Sequence, residues 1–149
     1  MKEYESYMSE ITLKYKASGI VTTQIKGSDD SYKLLKKMYD EDTLDYCESS
    51  IVIYFNQANC SIGWQKLSQG GITSTVIDVR MILVTALNCG ATGIIVSHNH
   101  PSGALKASEQ DDTLTKKLNE ACKIMDLRLL DHVIVTSKGY YSYVDEGKL

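Results

Sequence analysis

Apolar residues recur along this chain with a period that changes from block to block, and the changes mark out its elements. Ile11, Leu13 and Tyr15 alternate with polar neighbours, which predicts a first strand, and residues 20–25 after Gly19 predict a second short one. Ser28, Asp29 or Asp30 then offers an N-cap for a helix carrying Tyr32, Leu34, Leu35 and Met38. Residues 50–55 and 62–67 are β-branched and aromatic runs on either side of a turn-prone segment at 56–59, the pattern of a hairpin, and Gly70-Gly71 breaks the regularity after it. From Asp78 the spacing becomes helical through Val79, Ile82, Leu83 and Ala86, stops near 88–90, and gives way to a buried strand at Ile94-Ile95-Val96. Ser108 opens a second strong helix with Leu114, Leu118, Ala121, Cys122 and Met125 as its apolar face, followed by strands at 129–135 and 140–144. Strands interleaved with helices in this order predict an α/β domain, a mixed β-sheet with helices packed on it. Residues 1–9 are polar and expected to order only by docking, which leaves 10–149 as one domain.

Composition narrows the picture. With 149 residues, 43% of them hydrophobic and 23% charged, the chain can bury a core without staples. The net charge is −3, and Lys and Arg are scattered among Asp and Glu, so the one-sided basic footprint selected by nucleic acid is missing. Cys47, Cys60, Cys89 and Cys122 form no Cys-x-x-Cys pair and read as buried thiols. The first residues contain no apolar h-region, and no segment reaches the ~20 apolar residues that cross a bilayer. A soluble, cytoplasmic protein without membrane contact is expected.

The chemistry starts where the buried strand at 94–96 ends. His98 and His100 stand at i and i+2 of extended backbone, so both imidazoles project to one side and can reach one ion. A catalytic zinc site needs three nitrogen, oxygen or sulfur ligands and an open position. Asp111 is the candidate third ligand: Pro101-Ser102-Gly103 can turn the chain, seven residues (101–107) separate His100 from Ser108, and Ser108-Glu109-Gln110-Asp111 puts hydroxyl and carboxylate in a first helical turn. Taken singly, a His pair after a strand is ordinary turn polarity, and Ser-x-x-Asp is an ordinary capping motif.

Together they spell His-x-His, seven residues, Ser-x-x-Asp, and here the sequence resembles the JAMM signature of the JAB/MPN metallopeptidase family. The resemblance is closer still to its bacterial RadC-like branch. It runs through SHNHPSG at 97–103, the Asp-Asp-Thr-Leu-Thr-Lys-Lys-Leu helix, Leu130-Asp131-His132 and Tyr140-Tyr141-Ser142-Tyr143, and covers the chain from about Ile11 onward. It implies a hydrolase fold related to cytidine deaminases, one zinc ion, and a glutamate from an earlier strand acting as acid and base. That glutamate maps to Glu48, just ahead of 49–55, with Glu41 and Glu109 as weaker rivals. Ser108 is similar in position to the family serine that hydrogen-bonds the developing oxyanion or the bound water, and capping its own helix is the competing role. The family places no metal ligand at Asp131 or His132, which read as supports of the fold or of the ligands. Arg80 reads as the partner of a carboxylate at a helix start, and the tyrosines at 140, 141 and 143 as a strand with one inward face. Ala107 departs from the proline usual before the serine, which loosens the loop and removes no ligand.

These residues lead to a zinc-dependent hydrolase of a peptide or isopeptide bond, with a peptide or protein as substrate. A nucleobase deaminase requires His-x-Glu and a later Pro-Cys-x-x-Cys, whereas His100 occupies the glutamate's place and the second motif is missing. Two other readings stand beside the hydrolase: a non-catalytic MPN-like interaction module, and a DNA-repair or DNA-transaction accessory of the RadC type. The intact ligands weigh against the first. Against the second stand the acidic balance and the lack of a counterpart to the helix-hairpin-helix region of full-length RadC proteins, so DNA contact is expected only through a partner.

Overall fold

The computed structural model describes residues 8–12, 14–69 and 77–149. Along them run α1 (Ser28–Lys36), β1 (Ser49–Phe55), β2 (Ser61–Gln69), α2 (Val79–Asn88), β3 (Gly93–Asn99), α3 (Glu109–Ile124), β4 (Arg128–Thr136) and β5 (Gly139–Ser142). The five strands form one sheet in the order β2-β1-β3-β4-β5. β1 is antiparallel to β2 and β3, β3 and β4 are parallel, and β5 returns antiparallel on β4. This is the expected α/β fold with a mixed sheet.

Side-chain alternation explains why helices cover both faces. On one face Ile51, Ile53, Phe55, Ile95, Val133 and Val135 pack with Leu34 and Leu35 of α1. Through the other, Val52, Tyr54, Ile94 and Val96 meet Val79, Ile82 and Ala86 of α2 and Leu118 and Cys122 of α3. β1 and β3 are buried along their whole length, so their unbroken apolar runs are those of central strands covered on both sides.

The topology also decides where chemistry can gather. β1 begins beside the end of β3, with Ser50 opposite His98. The crossover from β3 to its parallel neighbour β4 needs a helix, and the loop into α3 leaves from that same end of the sheet. The segment before β1, the end of β3 and the first turn of α3 therefore converge.

Several expectations are corrected. Of the strand at 11–15, Leu13 lies outside the described residues and its neighbours form no strand, while residues 20–25 contribute only an isolated bridge, Gln24 to Cys60. Among the described residues of 8–15 none pairs with a strand, and Ile11 is 92% exposed, whereas Ile25 packs into the core beside Ile51 and Ile53. Residues 1–7 of the polar start and Gly70-Gly71 lie outside the described residues as well. Helix α1 starts at Ser28 and is entered through extended Gly27, which has no side chain to cap it, while the Asp30 carboxylate accepts from Lys26 N–H. Met125 is the C-cap of α3 and 44% exposed, outside its apolar face. β5 stops at Ser142, and Tyr143 sits in the following turn with its ring buried. Only Cys122 is a buried thiol; the other three cysteines are half-buried, and none of the four is in a disulfide among the described residues.

The core assignment makes a stability prediction. Ile53→Ala, in the middle of β1, should cost about 2–5 kcal/mol in denaturant unfolding, whereas Val84→Ser on the exposed side of α2 should stay within about 0.5 kcal/mol. Equal losses at both positions would contradict the burial described.

Candidate metal centre

Each member of the predicted trio comes from a different structural circumstance. His98 lies in β3 on the α3 side of the sheet and is 1% exposed. His100 follows the end of β3, where a turn closed by Gly103 N–H on the His100 carbonyl at 2.9 Å redirects the chain. Gly103 takes φ +74°, a left-handed conformation that side chains resist. Asp111 is the third residue of α3 and completes a capping box with Ser108: Ser108 Oγ accepts from Asp111 N–H, and Asp111 Oδ2 accepts from Ser108 N–H.

The three side chains meet. His98 Nε2 is 3.0 Å from His100 Nε2 and 3.1 Å from Asp111 Oδ1, and His100 Nε2 is 3.6 Å from Asp111 Oδ2. One ligand atom from each lies within 4.8 Å of the others, so the trio could hold a metal ion. Two imidazole nitrogens and a carboxylate are the donor set that zinc accepts in catalytic sites, and three protein donors leave a position for water.

Electrostatics bind the group together. Burial alone would raise the Asp111 carboxyl's pKa, but its close contacts with the His100 and His98 ring nitrogens outweigh it and hold the group well below the ordinary carboxylate range. His100 is shifted up, first by its hydrogen bond to Asp111 and against the opposing effect of burial. The α3 N-terminus adds its dipole in favour of a negative charge at Asp111.

The trio opens into a cavity of about 540 Å³ that Glu48 also lines, together with Ser108, Ile77 and Leu114. The charge of Glu48 contributes to the upward shift of His100. Neither Glu41 nor Glu109 lines this cavity. Ser108 reaches it too, but its hydroxyl donates to Asp111 Oδ2 at 2.7 Å, so the capping role is the one its proton serves. Arg80 pairs with Asp78 at 3.1 Å, as expected of a carboxylate at a helix start.

His132 and Asp131, adjacent in β4, go to opposite faces. His132 is fully buried behind His98, with Nε2 2.9 Å from His98 Nδ1, and burial holds its pKa well below the usual imidazole range. Asp131 turns away from the site and accepts from Ser142 Oγ at 2.7 Å and Val144 N–H at 3.2 Å. Burial pushes its carboxyl pKa up.

Sequence reasoning assigned no role to Asn99 or Thr115, and it placed Tyr143 in a strand rather than in the turn that follows. Asn99 sits between the two histidines and points to the opposite face of β3. Its Oδ1 accepts from Ser49 N–H at 2.7 Å, and its Nδ2 donates to the carbonyls of Leu44 and Cys47 at 2.6 and 2.9 Å. The backbone on both sides of Glu48 is thereby tied to the strand that carries the histidines. Strand alternation could have placed Asn99 away from the two imidazoles, though not named its partners.

Comparison with known proteins adds to this geometry. The sequence profile of the family described as RadC-like JAB domain matches residues 25–148. A UPF0758 protein of Flavobacterium johnsoniae is 42% identical over 124 residues, covering 83% of this chain and 53% of that protein. A UPF0758 protein of Streptococcus gordonii is 43% identical over 119 residues, covering 80% and 53% respectively. The chain spans about half the length of the curated relatives it matches.

The raised His100 pKa sets the sign of a pH effect. An imidazole nitrogen that holds its proton above the usual 6.5 must release it before it can bind a metal ion, so any metal affinity of the trio should climb with pH and level off above that raised pKa. Chelator competition between about pH 5.5 and 8.5 should show a slope of up to about tenfold per pH unit at the acidic end. A flat profile would rule imidazole out of the ligand set.

Proposed function

The chain belongs to the RadC-like JAB domain family, and on that premise we propose that it is a zinc-dependent hydrolase of a peptide or isopeptide bond, working through His98, His100, Asp111 and Glu48. The observation that carries the reading is the convergence of two imidazole nitrogens and a carboxylate at 3.0 to 3.6 Å on the floor of a cavity that also holds a second carboxylate. Among the described residues no Lys or Arg is paired with Asp111, so the donor set has room for a cation of its own. When bound there, zinc supplies Lewis acidity, polarising a carbonyl and making water a better nucleophile at neutral pH.

The protein's own groups do the rest. His98 and His100 present nitrogen lone pairs, and Asp111 contributes negative charge from a carboxylate whose other oxygen is anchored by Ser108. Glu48 takes the proton from water as it attacks the substrate carbonyl and returns it to the departing amine, which conserves protons over the cycle. Ser108 keeps Asp111 in place; contact with a developing oxyanion requires it first to exchange that hydrogen bond. Ile77 and Leu114 give the cavity an apolar wall that suits a side chain next to the scissile bond.

The reading is tested by metal analysis and turnover together, with peptide and isopeptide libraries and added zinc supplying the substrate. His98→Ala and Asp111→Ala should each lose the bound zinc. Glu48→Gln should keep zinc and lose turnover by a factor of at least about 10². Zinc retained in both ligand variants, or full turnover in Glu48→Gln, would refute the assignment.

A further inference from the structure

Behind His98 lies a run of buried polar groups that metal binding and hydrolysis, as described, leave unused. Thr115 is 3% exposed, and His132 is completely buried. Thr115 Oγ1 is 2.6 Å from the Asp111 carbonyl oxygen one turn back in α3 and 2.6 Å from His132 Nδ1. His132 Nε2 is 2.9 Å from His98 Nδ1. The His132 ring is also clamped flat against Tyr143, with centroids 4.9 Å apart and planes 5° from parallel.

Proton counting gives this run a direction. A backbone carbonyl can only accept, so the 2.6 Å contact with Asp111 O uses the single proton of the Thr115 hydroxyl. Thr115 Oγ1 must then accept from His132, which places the proton of that imidazole on Nδ1. With its ring proton on Nδ1, His132 presents Nε2, 2.9 Å from His98 Nδ1, as the acceptor of the His98 Nδ1–H. His98 Nε2 is left with a free lone pair, turned toward His100 and Asp111. On the other side, the Ala104 carbonyl 3.0 Å from His100 Nδ1 fixes the proton of that ring in the same sense.

We infer that Thr115 and His132 are positioning residues of the metal centre: a two-member relay anchored on the Asp111 carbonyl that keeps the His98 proton on Nδ1 and its Nε2 lone pair aimed at the ion. The inference rests on the proposed metal reading of the trio. It adds that α3 supplies the centre twice, through the Asp111 side chain and through the Asp111 carbonyl acting by way of Thr115 and His132. Hydrogen-bonded supports of this kind fix the tautomer and orientation of a ligating imidazole.

Two measurements on the full chain test it. Nitrogen-15 spectra of the histidine rings in metal-free wild-type protein at about pH 8, above the ordinary imidazole range, should show the Nδ1–H tautomer at both His98 and His132. Zinc affinity by chelator competition should fall about 10- to 100-fold in Thr115→Val, which cannot accept from His132, and return to within about twofold of wild type in Thr115→Ser. An Nε2–H tautomer at His132, or wild-type affinity in Thr115→Val, overturns the relay. If Thr115→Val fails to fold, the wild-type spectrum and Thr115→Ser decide. If the wild-type protein binds no zinc, the metal reading fails, and the metal-free spectrum still settles the relay independently.

Discussion

A strand buried on both faces cannot carry polar side chains to its end unless each finds a partner, and β3 ends in three of them. Ser97, His98 and Asn99 are at most 1% exposed. An unpaired buried polar group costs about 1–3 kcal/mol, so leaving all three unmatched would consume much of a small domain's net stability. Each is matched by a different part of the chain. Ser97 bonds the hydroxyl of Tyr39 at 2.9 Å, Asn99 takes the backbone around 44–49, and His98 takes His132. One strand end thereby draws in the segment after α1, the residues flanking Glu48, and β4 with α3 behind it.

Alternation along β3 sorts these partners by face. Ser97 and Asn99 look toward α1 and fix the polypeptide that delivers Glu48. His98 looks toward α3, which delivers Asp111. Two groups proposed to act on the same bond therefore reach it from opposite layers of the protein, held by neighbouring residues of one strand. The crevice at the carboxyl end of a parallel strand, where a crossover helix begins, is a common place for ligands in α/β sheets. Here the antiparallel neighbour β1 adds a group from its amino end, because antiparallel pairing puts the start of β1 beside the end of β3.

What could be read from the sequence was whatever depends on short-range spacing. The hairpin of β1 and β2, the stripe of α2 and the capped start of α3 follow from periods and caps, and His98, His100 and Asp111 follow from strand alternation, a turn and a first helical turn. Long-range pairing was not readable. The strands expected before residue 26 fail because alternating apolar residues predict only that a partner is wanted, and no strand is available to residues 8–12 and 14–25 beyond one bridge. Asn99 looks like a spacer between two ligands until the residues near 44–49 are seen against it. Tyr143 was expected in the last strand, yet it lies one residue past it, where Asp131 from one face of β4 and His132 from the other grip the turn: Asp131 holds Ser142 and Val144, and the His132 carbonyl accepts from Tyr143 N–H at 3.1 Å.

The capping box of α3 belongs to the site as much as to the helix. Asp111 Oδ2 accepts from the Ser108 backbone at 2.8 Å and from its hydroxyl at 2.7 Å, which pins the carboxylate and leaves Oδ1 facing His98. The local hydrogen bonds that start α3 thus aim a charge that the cavity receives. That charge is half-enclosed, and among the described residues its ion-pair partners are the two imidazoles alone. With both Nδ1 protons committed elsewhere, the imidazoles turn lone pairs toward the carboxylate, so a proton or a metal cation has to balance the group. A proton serves one nitrogen at a time, whereas a divalent ion satisfies all three donors together, and this difference makes the arrangement better suited to a metal than to an isolated buried acid.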